Sequence, residues 1–322
     1  MKKFPTSWIA PLVLAAPAFS APQPAAAGHQ TYIALGDSLA FGEYRFQDNP
    51  SNGDRGYVGP YADYLAQSHG GVRPTVINLG VDGETSATFL NGGTPGPGPV
   101  PGEPAYSLNT NYQSPYPSQN SLLLATIVAA KAAGDPIGTI TIHLGANDLF
   151  VLTQDPTFFT KSPSEQQSLV SAALMTVQSN YTTLLTELKA QVPGASLVLL
   201  GYYDPFAPFA HDPTSPLYPT AQVSAPAIQG LNQLIAGEAS AFGARYIDLY
   251  TPFLGHELAY TDVANPAIPG NIHPTPAGYT VIVAQLVPAS SSLAMGASSV
   301  LAGLGYWWRR RWSAGGDDRP KE

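Results

Sequence analysis

The stretch "YIALGDSLAFGEY", Tyr32 to Tyr44, decides the fold. Its first half is an apolar, β-favouring run without a charge, and Gly36-Asp37-Ser38 turns polar where a strand should end. Parallel α/β sheets carry their sites outside the carboxyl ends of the strands. Ser38 therefore has two readings, a turn or helix cap and a nucleophile.

Outward from it the chain alternates β-rich and helical runs, the pattern of an α/β three-layer sandwich with a mainly parallel sheet. The strand candidates are "TYIAL" (31–35), "TVINL" (75–79), "TITIHL" (139–144), "SLVLLGYY" (196–203) and "ARYIDLY" (244–250). Helical periodicity is expected from about Pro60, from Ser121 to a stop at Gly134, over 164–192, from Ala225 to about Phe242, and after Thr275, where Tyr279, Ile282, Val283 and Leu286 recur at helical spacing. Five strands with intervening helices make one domain, 28–286. Asn91 to Asn120 is too rich in Gly, Pro and Asn for a helix or a central strand, and its tyrosines suit a semi-ordered loop over a cleft.

The chain has 322 residues and a net charge of −8, with no basic stripe in its body to neutralise phosphates, so nucleic acid is excluded as a partner. It has no cysteine, which rules out disulfides, thiolate catalysis and cysteine metal sites. No Walker loop and no His-Glu-x-x-His pair occurs, and His256-Glu257 alone does not make a metal site.

Both ends read as addresses. Lys2 and Lys3, the apolar run after them and the small-residue sites at 18–20 and 25–27 form a secretory signal over 1–27, with cleavage expected between Ala21 and Gly28. Over 287–322, an apolar run from Leu293 to Trp308 is followed by Arg309, Arg310 and Arg311. That order places the arginines in the cytoplasm and the body outside, an exported protein anchored at its C-terminus. This tail resembles the PEP-CTERM sorting signal, though Val287-Pro288-Ala289-Ser290 lacks the Glu-Pro half. The resemblance implies a sorting protease as a partner, and the apolar run by itself implies a plain membrane anchor.

Four positions that follow strand candidates or precede the last helix carry possible chemistry. Ser38 can attack, His273 can take its proton, and the backbone N–H groups of Ser38 and Gly83 with the side-chain amide of Asn147 can hold an oxyanion. Taken singly, each also reads as a turn or cap: Gly83 as a tight turn, Asn147-Asp148 as an Asx-turn, His273 as a surface residue before Pro274.

As a set they resemble the GDSL, or SGNH, hydrolase family over roughly Tyr32 to Leu286. "GDSL" carries Ser38, "NLGVDGETS" Gly83, "GAND" Asn147, and "HPTPAGY" His273. No Gly-x-Ser-x-Gly elbow is present, which argues against the α/β-hydrolase family. The resemblance implies a flavodoxin-like sheet, Ser38 as nucleophile, His273 as base, and no metal or organic cofactor. It implies substrates among lipids, short acyl esters, thioesters and acetylated sugars, while the sorting-like tail would suit work on exported, acylated polysaccharide.

The chain departs from the family three residues before His273, where Gly270 replaces the orienting aspartate. The backbone carbonyl of Gly270 is the expected substitute, with Asp262 and Asp248 as more distant candidates. The expected function is a secreted serine esterase or lipase for short to medium acyl esters. An acyltransferase using the same acyl-enzyme, and a non-catalytic surface-binding module on the same fold, are the alternatives.

Overall fold

The computed structural model describes residues 29–43, 55–93, 118–267 and 270–288. The expected signal (1–27), most of the loop at 91–120 and the apolar tail from 289 lie outside the described residues. Among the described residues no helix is long and apolar enough to cross a membrane.

Five strands form one sheet in the order β2-β1-β3-β4-β5: β1 (Thr31–Gly36), β2 (Thr75–Asn78), β3 (Ile137–His143), β4 (Ser196–Leu200) and β5 (Arg245–Ile247). Every pairing is parallel. β1 lies between β2 and β3, and Tyr32, Ile33, Ala34 and Leu35 are fully buried, as a strand covered on both faces requires. Because β2 goes to one side of β1 and β3 to the other, the chain reverses direction across the sheet at β1. The crevice between the ends of β1 and β3 is thus the topological switch point, where open α/β sheets place their ligands.

The helices are α1 (Ser38–Phe41), α2 (Val58–Ser68), α3 (Ser86–Asn91), α4 (Gln119–Ala133), α5 (Ala146–Gln154), α6 (Pro163–Gln191), α7 (Tyr218–Ala241), α8 (Tyr250–Phe253), α9 (Glu257–Tyr260) and α10 (Pro276–Leu286). α4 and α6 start at capping boxes, Ser118 with Ser121 and Ser162 with Glu165, which satisfy two free amides at each start. α4 ends where Gly134 adopts a left-handed φ of 72°. The core packs β-strand side chains against Leu123 and Ile127 of α4, Val177, Leu184 and Leu188 of α6, and Leu231 and Ile235 of α7. Tyr181 is buried with them and donates its hydroxyl to Leu144 O at 2.8 Å, the partner a buried phenol needs.

Among the boundaries that differ from the sequence expectation, three have a clear local reason. α7 starts at Tyr218, seven residues before Ala225, and runs through Pro226. Proline lacks an N–H, so the carbonyl of Gln222 has no intrahelical partner there, and the buried face formed by Ala221, Ser224 and Ile228 holds the helix together. β4 stops at Leu200 because Asn232 of α7 takes over the backbone of Tyr202, accepting its N–H at 2.7 Å and donating to its carbonyl at 2.8 Å. The segment read as a loop to Asn120 becomes helical at Gln119, fully buried beneath the end of β1.

Candidate active site

β1 ends at Gly36, whose φ is +129° and where a Cβ would overlap the carbonyl oxygen of His143 on β3. Only glycine lets the two strands close at this point. Gln119 then grips the same residue on both sides, accepting from Gly36 N at 2.8 Å and donating to Gly36 O at 2.9 Å. The strand is fixed one residue before the polar turn.

Asp37 caps α1: its Oδ1 accepts from Leu39 N at 3.0 Å, while Tyr202, from the segment after β4, donates its hydroxyl to Oδ2 at 2.6 Å. Burial raises the Asp37 carboxyl to about 7, against the effect of the Tyr202 and Leu39 hydrogen bonds. With Asp37 fixed as the cap, Ser38 occupies the first position of α1 at the carboxyl end of β1.

The turns after β2 and β3 are clamped to each other. Asn147, in the first turn of α5, donates from Nδ2 to Glu84 O at 3.0 Å, which leaves the second hydrogen of its amide free to act. Asp148 accepts from both the backbone N (2.8 Å) and Oγ (2.7 Å) of Ser86. Glu84 receives Gln119 Nε2 at 3.1 Å and is raised to about 7, chiefly by burial. Gly83 has a φ of +74° and directs its amide to the Asp82 carboxyl, which burial raises to about 6.

His273 is buried just before α10. Its Nδ1 lies 2.7 Å from Oδ1 of Asn271, and the same Oδ1 accepts the backbone N–H of His273 at 3.0 Å. A backbone N–H can only donate, so the side-chain atom facing it is the oxygen. An oxygen that only accepts makes Nδ1 the protonated ring nitrogen and leaves the lone pair on Nε2. Burial lowers the imidazole to about 4, while the Asp262 carboxylate acts in the opposite direction.

Asn271 thus takes the place expected for the Gly270 carbonyl. Gly270 is exposed with a φ of +85°, a turn residue before the buried Asn271. An Asx-type side chain two residues upstream reaches both the amide and the ring, which fixes the imidazole more directly than a carbonyl on an exposed turn. Asp248 serves elsewhere, accepting from Tyr250 N at 2.9 Å at the start of α8. Asp262 stays close to His273, its N–H donating to His273 O at 3.1 Å and its Oδ1 accepting from Asn265 Nδ2 at 3.1 Å.

Ser38, Asn147 and His273 line one cavity that opens to solvent, and Gly83 is not among its lining residues. On the α5 side the lining takes in Ala146, Asn147, Leu149, Phe150, Leu152 and Thr153, roughly 10 Å along the helix. Phe158, Val170 of α6 and Ile228 of α7 line the cavity as well, so apolar side chains make up most of its wall beyond the polar end. Among the described residues no group of three or more His, Asp or Glu side chains is placed to hold a metal ion.

Sequence reasoning missed Gln119, Tyr202, the clamp that Asp148 makes on Ser86, and the role of Asn271. Only the last had a signal, an Asn two residues before the His. The other three contacts join distant parts of the chain.

Solved structures with the same fold include an extracellular lipase from Streptomyces rimosus and a phospholipase A1 from Streptomyces albidoflavus. Each is 20% identical, covered over 80% of this chain and 98% of the other, with a TM-score of 0.50. A lipase from a goat rumen metagenome is also 20% identical, covered over 80% of this chain and 95% of that one, with a TM-score of 0.52. No curated protein matches the chain. The model of the GDSL-like lipase/acylhydrolase family matches residues 34–281, which takes in the turns carrying Ser38, Gly83, Asn147 and His273. By that match the chain belongs to the GDSL-like lipase/acylhydrolase family and is an ester-bond hydrolase.

Proposed function

We propose that the protein is an exported serine esterase that hydrolyses carboxylic acyl esters through an acyl-Ser38 intermediate. The observation that supports this reading is the shared cavity wall: Ser38, Asn147 and a His273 with its lone pair on Nε2 line one cavity whose other lining residues are mainly apolar. Nε2 takes the proton from Ser38 Oγ as that oxygen adds to the ester carbonyl. The oxyanion is held by the amide of Ser38 and the side-chain amide of Asn147, and the amide of Gly83 joins them once it exchanges Asp82 for the oxyanion. Collapse expels the alcohol, which leaves with the proton from His273. Water then enters by the reverse route, releasing the acid and regenerating Ser38.

The apolar wall along α5 supports an acyl chain of short to medium length over an acetylated glycan, whose hydroxyls would find few partners there. Export and a C-terminal hold on the membrane are supported by the sequence of the two ends.

The test is a series of p-nitrophenyl esters from acetate to palmitate, with the Ser38→Ala variant beside the wild type. Activity should peak between butyrate and octanoate, and Ser38→Ala should lower kcat by on the order of 10⁴-fold or more. Activity confined to acetylated glycans would overturn the substrate assignment.

A further inference from the structure

The imidazole of His273 is held by an uncharged side chain in a position where a carboxylate would stabilise it by charge. We propose that Asn271 is the positioning residue of His273, fixing its tautomer and ring plane through Oδ1 while adding no charge to the site. This rests on Ser38 and His273 acting as nucleophile and base.

Three observations carry it. One oxygen of Asn271 binds both the backbone N–H and Nδ1 of His273, at 3.0 and 2.7 Å, so the ring is tied to its own main chain. Asn271 is fully buried, so the contact is shielded from water. Its Nδ2 has no hydrogen-bond partner among the described residues. An unsatisfied buried donor is destabilising, and an aspartate would make the same turn without one. The amide therefore contributes a neutral acceptor next to the ring, not extra stability.

Asp262 faces the ring from the segment after α9, Tyr203 donates its hydroxyl to Ile272 O at 2.8 Å, and Asp37 is engaged by Tyr202 and Leu39. When His273 takes the Ser38 proton, the imidazolium faces an amide dipole at Nδ1 and the nearby Asp262 carboxylate. Such a base is slower than one paired with a carboxylate, and it stays neutral further into the acid range.

The test measures kcat and KM across pH on p-nitrophenyl butyrate, using the full chain as wild type, Asn271→Asp, Asn271→Ala, Asp262→Asn and Ser38→Ala. Asn271→Asp preserves both acceptor contacts and adds the charge. It should raise kcat at neutral pH by about tenfold or more and move the acid limb of kcat/KM to higher pH, because a carboxylate favours the imidazolium. Asn271→Ala should lower kcat by about 10²-fold with KM little changed. If Asn271→Ala fails to fold, the acid limb of Asn271→Asp decides alone. An acid limb that stays in place in Asn271→Asp overturns the proposal, as does a limb moved only by Asp262→Asn. A Ser38→Ala variant that stays active removes the nucleophile reading itself, a failure visible without any change at position 271, and the proposal falls with it.

Discussion

Tyr202 donates its hydroxyl to Oδ2 of Asp37 at 2.6 Å, linking the segment after β4 to the cap of the helix that carries Ser38. Both groups are buried, so neither can take water in place of the other. Tyr202→Phe leaves Oδ2 unsatisfied and should lower stability by about 1–3 kcal/mol. Thermal unfolding should show this as a Tm lower by roughly 3–10 °C. A reduced kcat would accompany it, since Asp37, the cap of α1, loses one of its two hydrogen-bond partners.

The same carboxyl makes stability depend on pH. Burial raises Asp37 from 3.8 to about 7 in the folded protein, so between those values the folded state binds a proton that the unfolded state has lost. Stability from this group is complete below pH 3.8 and declines as pH rises to about 7. His273, lowered by burial, acts in the opposite sense over its own range, so the prediction is best read as a difference. Asn in place of Asp37 still caps Leu39 N and cannot ionise. Asp37→Asn should therefore gain stability relative to wild type as pH is raised through this window, measured by denaturant unfolding at a series of pH values.

Asn147 donates one amide hydrogen to Glu84 O, which leaves the other for the cavity that Ser38 also lines. If it stabilises the oxyanion, Asn147→Ala should lower kcat by about 10²–10³-fold with little change in KM. Steady-state kinetics on p-nitrophenyl butyrate would show this. A rise in KM at constant kcat would assign the amide to ground-state binding instead.

Val170 of α6 lines the cavity together with Phe158 and is only partly buried, so a larger side chain can be accommodated without breaking the core. Val170→Phe should shorten the preferred acyl chain, lowering the octanoate-to-acetate ratio of kcat/KM by roughly tenfold or more. An unchanged ratio would place the acyl chain elsewhere.

The sheet was legible because buried parallel strands are short apolar runs ending in glycine or polar turns, as at Leu35-Gly36 and Leu144-Gly145. The candidate site residues stood out for a related reason: Ser38, Gly83 and Asn147 each come soon after a strand, and of these Ser38 and Asn147 line the cavity with His273 while Gly83 does not. The strand order was less accessible, since connection rules permit several orders and only packing selects one. Pro226 concealed the first two turns of α7, because a helix-breaking residue is tolerated where its buried face is large. Gln119 was hidden in a stretch whose composition reads as loop, and its role depends on Gly36, far away in sequence. For His273, family spacing pointed to position 270 when the side chain that reaches the ring is at 271.

The most direct test of the account is fluorophosphonate labelling of the full chain, located by mass spectrometry, with Ser38→Ala and His273→Ala beside the wild type. The probe reports an activated serine whatever the natural ester. A single adduct on the peptide containing Ser38, lost in both variants, is the predicted result. A folded wild type that takes no label, or takes it on another serine, would contradict the assignment of Ser38 as nucleophile and His273 as its base.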